Sequence, residues 1–259
     1  MQYRPRLPEH NVNIPRRHPL RDFGQLLAGL GVILAVIYLA LGLLVDTAVD
    51  HLSAETELAI YDAMNLEALG KIFASEKEAG EQLALTESVL EQLLPCAGLP
   101  YPISSHLIAS PELNAMAFPG GALGITSGLL EAVHSEGGLA FVLAHELAHF
   151  RHWDHLRGLG RGIVLVTGAA VVTGGNADLG ALLNPALNLQ MAQYSQARES
   201  AADREALALM TCAYGNTEGA GELFQQMLKR KEEKGYLGHY FSSHPQTRKR
   251  LEAIEALGH

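Results

Sequence analysis

The chain has little of what marks several classes of protein. Its 259 residues include only 18% charged and 6% aromatic residues, and it has no internal repeat or low-complexity tract. No stripe of basic residues is interleaved with aromatic residues, and the formal net charge is −9. This acidic balance argues against nucleic acid as a partner. Hydrophobic residues make up 48% of the chain, which is ample for a core, and one domain with appendages fits the length.

Cysteine is also scarce, since only Cys96 and Cys212 occur. In an oxidising compartment the two thiols could form a disulfide. Two cysteines at positions without a recognisable spacing are more often small buried hydrophobic residues. The sequence therefore favours free thiols and leaves their pairing open.

One long stretch lacks charge altogether. Residues 23–45 contain no charged side chain, and Gln25 is their only strongly polar residue. As a helix these 23 residues would be about 34 Å long, enough to cross a bilayer. The apolar core of a cleaved signal peptide is shorter, about 7–15 residues. An uncleaved transmembrane anchor is therefore the favoured interpretation.

The charges before this stretch predict its orientation. Residues 1–22 hold five arginines against Glu9 and Asp22, a balance of +3. Positively charged flanks stay in the cytoplasm. We therefore expect a cytoplasmic tail at 1–22, a single membrane span at 23–45 and one domain at 46–259 across the membrane. In a Gram-negative bacterium that domain would lie in the periplasm, attached to the inner membrane.

The remaining pattern predicts a mainly helical α+β domain with a small antiparallel sheet. Apolar residues recur at helical steps from Asp46 to about Leu94, and the Pro-rich segment 95–102 should end that helix. Strand character follows at 103–108, and Pro119-Gly-Gly121 should form the turn of a hairpin. Further elements are expected as follows: a short helix at 127–131, a helix capped by Ser135, a buried or membrane-grazing hairpin at 163–173, and helices near 185–210, 218–234 and 246–257.

The helix that Ser135 should cap contains His145-Glu146-Leu147-Ala148-His149. Residues four apart on a helix share one face, so the two imidazoles could bind one metal ion with Glu146 beside them. Such a motif also arises by chance in long helices. Its apolar surroundings favour the metal, because buried ionisable groups are costly unless they are paired or metal-bound.

A catalytic zinc keeps three protein ligands and one open position, and the sequence offers two candidates for the third. His155 has the histidine spacing of the pattern H-E-x-x-H-x-x-G-x-x-H, but His152 occupies the glycine position where that pattern needs a sharp turn. His152 and His155 would otherwise be an ordinary polar helix end. Glu199 is the second candidate, fifty residues after His149, and Asp203 lies four residues further on the same helical face.

The Glu199–Asp203 pair has two interpretations. Glu199 could bind zinc while Asp203 accepts the free ring N–H of a ligand histidine. Alternatively, the two acids could form a solvated salt-bridge face with Arg198 and Arg204. Spacing alone leaves both open.

Four motifs together resemble the membrane-associated gluzincin endopeptidases, whose members include HtpX, BepA and the CAAX prenyl proteases. They are Asn114–Gly121, His145-Glu-x-x-His149, Glu199-x-x-x-Asp203 and Ser243–Arg250, in a match that covers roughly Glu55 to the C-terminus. Ala201 departs from the second glutamate that the family often has. Because it has one convincing membrane span, the chain resembles single-anchor members of the family more than HtpX or the multi-span CAAX enzymes.

The resemblance implies a zincin-like fold and one Zn²⁺ per chain, held by His145, His149 and Glu199 with Asp203 behind them. Glu146 would be the general base and acid. His244 and Arg250 would act at the site, although His244 could instead occlude the zinc. Otherwise His244 and Pro245 would only cap the last helix, and Arg250 would pair with an acid. The residues Asn114, Ala115, Met116, Ala117 and Phe118 would form a sheet edge that binds extended substrate, unless Asn114 is only a turn residue and the alanines only pack.

We therefore expect a membrane-anchored zinc endopeptidase that cleaves unfolded or misassembled envelope proteins. The alternative is a zinc-stabilised chaperone-like module whose hydrolysis is silenced, for instance by His244. Polypeptides are the expected partners in either case.

Overall fold

A computed structural model describes residues 18–63, 73, 76–173, 196–234 and 247–257. In chain order the elements are α1 (Pro19–Asp50), α2 (Ala54–Ala63), α3 (Glu76–Ala97), β1 (Ser104–Ile108), β2 (Ala115–Phe118), a 3-10 turn (Pro119–Gly121), β3 (Ala122–Thr126), α4 (Ser127–Ala132), α5 (Glu136–Arg151), α6 (Asp154–Thr173), α7 (Gln196–Tyr214), α8 (Glu222–Lys234) and α9 (Thr247–Leu257). The fold is mainly helical with a small sheet, as the sequence predicts.

The chain divides into two compact units, residues 1–41 and 42–259. The first unit contains most of α1. Among the described residues, α1 alone is long and apolar enough to cross a membrane. Its most apolar window buries nothing, and large side chains such as Leu26 and Val36 are exposed. Exposed apolar surface on this scale is typical of a segment whose surroundings are themselves apolar.

The second unit contains a three-stranded sheet in the order β1-β3-β2. The predicted hairpin is confirmed, because β2 pairs antiparallel with β3 across the Pro119–Gly121 turn. The prediction of an all-antiparallel sheet is wrong, since β1 pairs parallel with β3. β3 lies between the other two strands, and all five of its residues are buried. A strand placed between two neighbours that run in opposite directions must be parallel to one of them.

The hairpin turn requires glycine for two reasons. Gly120 and Gly121 have φ angles of 77° and 78°, a region that side chains other than glycine rarely adopt. A Cβ at Gly121 would lie 2.2 Å from the carbonyl oxygen of Pro102. The turn therefore packs closely against the chain that leads into β1.

Helix α5 is the centre of the core. Every residue from Gly138 to Phe150 is buried, and the helix contacts α3, α7 and β2. The Ser135 hydroxyl accepts a hydrogen bond from the Gly138 N–H at 2.9 Å, which confirms the predicted N-cap. The helix ends at Arg151, and Trp153 with a φ of 56° turns the chain into α6.

Three predictions of secondary structure differ from the observed elements. Pro95 lies inside α3 rather than ending it, because Leu93 and Ala97 pack in the core on either side while Pro95 faces outward. Phe73 forms an isolated bridge with Ile108 instead of continuing a helix. Residues 163–173 belong to the continuous helix α6, so the predicted hairpin there is wrong. Residues 185–195 of the next predicted helix lie outside the described residues, and α7 supplies the remainder.

The expectation of two free thiols is also wrong. Cys96, near the end of α3, and Cys212, near the end of α7, form a disulfide across a sequence separation of 116 residues. The two helices pack against each other, which brings the sulfur atoms together. In the chain-entropy model a bridge that closes a loop of this length stabilises the fold by roughly 4–5 kcal/mol.

Candidate metal centre

Two imidazoles meet inside the core. His145 and His149 lie on successive turns of α5, and both side chains are fully buried. Their Nε2 atoms are 3.1 Å apart. The predicted i, i+4 arrangement therefore places two nitrogen atoms side by side, facing one point.

Glu199, in the first turn of α7, faces the same point. Its Oε2 lies 3.5 Å from the Nε2 of His145, and its Oε1 lies 3.4 Å from the Nε2 of His149. Helix α7 packs along α5, and this packing places Glu199 opposite the two histidines although fifty residues separate it from His149. Within the part of the chain that the structure describes, these three side chains form the one cluster that could hold a metal ion.

The donor atoms of the cluster lie close enough together to share one metal ion. The two Nε2 atoms are 3.1 Å apart, and each lies within 3.5 Å of a different oxygen of Glu199. With one ligand atom taken from each residue, all three atoms lie within 4.8 Å of one another. The donor set of two imidazoles and one carboxylate also leaves one position open, as a catalytic site requires.

A carboxylate lies behind each histidine. The Oδ1 of Asp203 is 3.1 Å from the Nδ1 of His145, and the Oδ2 of Asp154 is 3.0 Å from the Nδ1 of His149. Carboxylates in these positions fix the ring orientation and the tautomer that presents Nε2 to a metal. The position of Asp203 agrees with the predicted support of a ligand histidine. Asp154 was not predicted.

Asp154 reaches His149 because of the turn at Trp153. Asp154 is the first residue of α6, where the partial positive charge of a helix N-terminus favours a carboxylate. The left-handed backbone of Trp153 directs this residue back toward α5. The sequence does contain a signal for this contact, because Asp154 follows His149 by five residues and begins the next helix. The sequence does not show which way the chain turns between the two helices, so the contact could not be predicted from it.

Arg250 on α9 connects two of the carboxylates. Its Nε and Nη2 donate to Asp203 at 2.7 and 2.6 Å, and its Nη1 lies 2.5 Å from the Oε2 of Glu199. The guanidinium also lies over the ring of Phe224, 4.9 Å from its centroid. Only 4% of Arg250 is exposed. The last helix is therefore fixed to the centre by a fully engaged cation.

The formal charges leave room for a divalent cation. Glu146, Glu199, Asp203 and Asp154 are all buried at the centre. Arg250 contacts two of these four carboxylates, and Arg198 contacts Asp154 at 3.1 Å. Among the described side chains, and with both histidines counted as neutral, two guanidinium charges against four carboxylates leave two negative charges, which equals the charge of one divalent ion. Buried carboxylates without compensating positive charge would be strongly destabilising.

The negative charge around the two histidines raises their pKa values. Burial alone lowers the pKa of His149, but hydrogen bonds to Asp154 and Glu199 and the charges of Glu199 and Glu146 outweigh burial and raise the pKa to about 10. For His145, burial is likewise outweighed by hydrogen bonds to Asp203 and Glu199, and the pKa rises. The site attracts positive charge, either as protons or as a metal ion.

His155, the alternative third ligand, lies outside the cluster. Its Nε2 is 2.8 Å from the Oε1 of Glu57, and both side chains are fully buried. His152 contacts Glu205 at 2.6 Å. Each of these histidines therefore has a carboxylate partner away from the centre, His152 at the C-cap of α5 and His155 beyond the turn at Trp153.

The predicted substrate strand contacts the helix that carries the two histidines. Among the described strands, β2 lies at one edge of the sheet, and it contacts α5. Ala115, Ala117 and Phe118 are buried and Met116 is half-buried. Asn114 precedes the strand, and its backbone N–H donates to the Thr126 hydroxyl at 2.9 Å. His244 lies outside the described residues, so its predicted role stays a prediction.

Comparison with known proteins agrees with this geometry. A model of peptidase family M48 matches residues 81–257. The chain is similar to the mitochondrial metalloendopeptidase OMA1 of Schizosaccharomyces pombe, with 32% identity over 154 residues that cover 58% of this chain and 45% of the relative. It is also similar to the mitochondrial metalloendopeptidase OMA1 of Bos taurus, with 28% identity over 167 residues that cover 59% and 32%. The chain therefore spans less than half the length of these two relatives.

The ligand assignment predicts different effects of two matched substitutions. Glu199→Gln removes a carboxylate from the cluster and should weaken zinc binding by more than the roughly 10–100-fold that loss of an outer partner of a ligand costs. His155→Gln keeps a donor for Glu57 and should leave zinc binding unchanged. Zinc content after dialysis against a weak chelator measures both. Loss of zinc from the His155 variant alone would contradict the assignment.

The raised pKa of His149 predicts opposite effects of pH with and without metal. In the metal-free protein, His149 stabilises the fold fully below its ordinary pKa of 6.5, and this contribution disappears as the pH rises through about 10. A metal ion binds only neutral imidazoles, so zinc affinity should instead increase with pH. Melting temperatures of chelator-treated and zinc-loaded protein between pH 6.5 and 9.5 measure the difference. A His149→Gln variant should show a flatter decline in its metal-free form. A metal-free decline that His149→Gln leaves unchanged would contradict the assignment.

Proposed function

The chain belongs to peptidase family M48, and from this membership we propose that it is a zinc-dependent endopeptidase whose metal is held by His145, His149 and Glu199. The observation that carries the proposal is the triangle of two Nε2 atoms and one carboxylate, whose ligand atoms lie within 4.8 Å of one another. The family model covers every residue of that triangle. The names of both relatives describe them as metalloendopeptidases.

Glu146 is the proposed general base and acid. Zinc, when bound, lowers the pKa of a coordinated water to about 7 and polarises the scissile carbonyl. Glu146 is fully buried beside His145, and its charge acts on His149. A carboxylate at that position can take the proton of the attacking water and later pass it to the leaving amine.

Asp203 and Arg250 support the ligands in this proposal. Asp203 holds the ring of His145, and Arg250 holds both oxygen atoms of Asp203 while contacting Glu199. These contacts favour a positioning role for Arg250. His244 is proposed to act at the open side of the site, as the resemblance implies.

The proposed substrates are polypeptides in extended, unfolded form. A strand at the edge of a sheet can bind an added strand through its main chain, which reads shape more than sequence. β2 has this place in the sheet and lies against the helix that carries Glu146. Broad activity toward unfolded or misassembled envelope proteins would follow, and with it a role in protein quality control.

The proposed location is a bacterial inner membrane, with α1 as the single span and the catalytic unit in the periplasm. The apolar surface of α1 supports an anchor. The bond between Cys96 and Cys212 supports an oxidising compartment, because cytosolic thiols are kept reduced.

Cleavage of an unfolded protein tests the proposed activity. The purified full chain in detergent should degrade casein, and Glu146→Gln should reduce the rate by about 10²–10⁴-fold, which is the usual contribution of a general base. Zinc content and melting temperature of the variant should stay close to those of the wild type. Equal behaviour of the two proteins in cleavage would contradict the protease and favour a chaperone-like module.

The state of the two cysteines in cells tests the proposed location. Thiols of the membrane-bound chain are alkylated under denaturing conditions before and after reduction, and the mass shift is measured. In the periplasm Cys96 and Cys212 should react only after reduction. Free thiols in freshly isolated membranes would contradict the oxidising compartment.

A further inference from the structure

Three contacts connect the ligand His149 to the end of the apolar segment. Asp154 shares its carboxylate between two partners, with Oδ2 at 3.0 Å from the Nδ1 of His149 and Oδ1 at 3.1 Å from the Nη1 of Arg198. The Nη2 of Arg198 lies 3.4 Å from the Oδ1 of Asp46. Asp46 directly follows the apolar residues 23–45. We call the series His149, Asp154, Arg198 and Asp46 the anchor relay.

Asp46, at the outer end of the anchor relay, is itself held by arginines of two other helices. Besides Arg198, the Nη2 of Arg161 lies 2.6 Å from its Oδ2, and the Nη1 of Arg157 donates to its backbone carbonyl at 2.9 Å. Arg157 also contacts Asp50 at 2.5 Å. Arginines from α6 and α7 thus converge on one turn of α1. This part of α1 belongs to the same compact unit as the metal centre.

The inner contacts of the anchor relay lie in a region of low dielectric. The side chain of Asp154 is only 3% exposed, whereas those of Arg198 and Asp46 are each 25% exposed. Exposed ion pairs contribute little, but removal of one partner of a buried carboxylate is strongly unfavourable. Removal of Arg198 therefore takes a compensating positive charge from the buried carboxylate of Asp154. A planar guanidinium can hold two carboxylates at fixed angles, which a lysine ammonium cannot do as well.

We propose that Arg198 is a positioning residue that links the end of the membrane anchor to the metal ligand His149 through Asp154. Arg198 fixes the carboxylate of Asp154, Asp154 fixes the ring of His149, and Asp46 fixes Arg198. Displacement of the Asp46 turn consequently weakens metal binding at a site it does not touch. This inference rests on the proposed metal site.

Zinc affinity of the full chain in lipid nanodiscs, measured by competition with a chelator, tests the inference. Arg198→Gln should weaken zinc binding by up to about 10-fold, because Arg198 acts on the ligand one step further out than the partners whose loss costs about 10–100-fold. Arg198→Lys should restore part of the loss, and Asp46→Asn should weaken binding several-fold. The matched control is Arg151→Gln, because Arg151 also joins α5 to α7 through Glu205 at 2.9 Å but stands outside the anchor relay. This control should bind zinc as the wild type does.

A double-mutant cycle separates transmission from a general loss of stability. In an Asp154→Asn background the relay is interrupted, so Asp46→Asn should cause no further loss of zinc affinity. A further loss as large as in the wild type would overturn the inference. Equal zinc affinity of Arg198→Gln and wild type would also overturn it, even if the melting temperature fell. If Arg198→Gln does not fold, the Asp46 cycle decides alone.

The wild-type chain distinguishes the two levels of the hypothesis. A wild type that binds no zinc would overturn both the proposed function and this inference. A wild type that binds zinc while the Arg198 and Asp46 variants match it would overturn only the anchor relay.

Discussion

The compensation of buried negative charge is the constraint on which the rest of this structure depends. Four carboxylates surround two imidazoles in the middle of the core, with two guanidinium groups to balance them. Carboxylates without partners at such depth would shift to their neutral form or prevent folding. The centre is stable only as a set, in which each acid has a cation, a protonated ring or a metal ion beside it. That need explains why helices from distant parts of the chain all contribute charged residues to one point.

Helix α5 shows how packing and chemistry share one element. Its residues 138–150 are all buried, so the same helix that holds the hydrophobic core together also presents His145, Glu146 and His149. A rigid, fully packed helix keeps ligand atoms within the narrow tolerance that metal binding requires. Its neighbours supply what α5 lacks. Helix α7 contributes Glu199, the proposed third ligand, and Arg250 on α9 contacts Glu199 and Asp203.

The outer contacts maintain this arrangement from two sides. The disulfide of Cys96 and Cys212 joins α3 to the end of α7, while Arg198 at the start of α7 reaches toward α6 and α1. Helix α7 is thus held at both ends, with Glu199 and Asp203 near the end that carries the ion pairs. For the proposed protease, an anchor that contributes to the ligand geometry would make membrane attachment part of the active state rather than only a means of localisation.

The sequence by itself determined the features that depend on neighbours along the chain. The face shared by His145 and His149, the cap at Ser135, the hairpin turn at Pro119–Gly121 and the apolar stretch at 23–45 all follow from helical periodicity, glycine conformation or length. The tertiary structure decided the rest. Spacing argued against His155, because His152 occupies the glycine position of that pattern, but it left the role of Glu199 open. The left-handed turn at Trp153 and the packing of α7 on α5 place His155 on Glu57 and Glu199 at the centre. The sequence also could not reveal the parallel pairing of β1 with β3, the contact between Asp154 and His149, or the disulfide. Each of these joins groups whose distance depends on how whole elements pack, and local sequence preferences do not encode that distance.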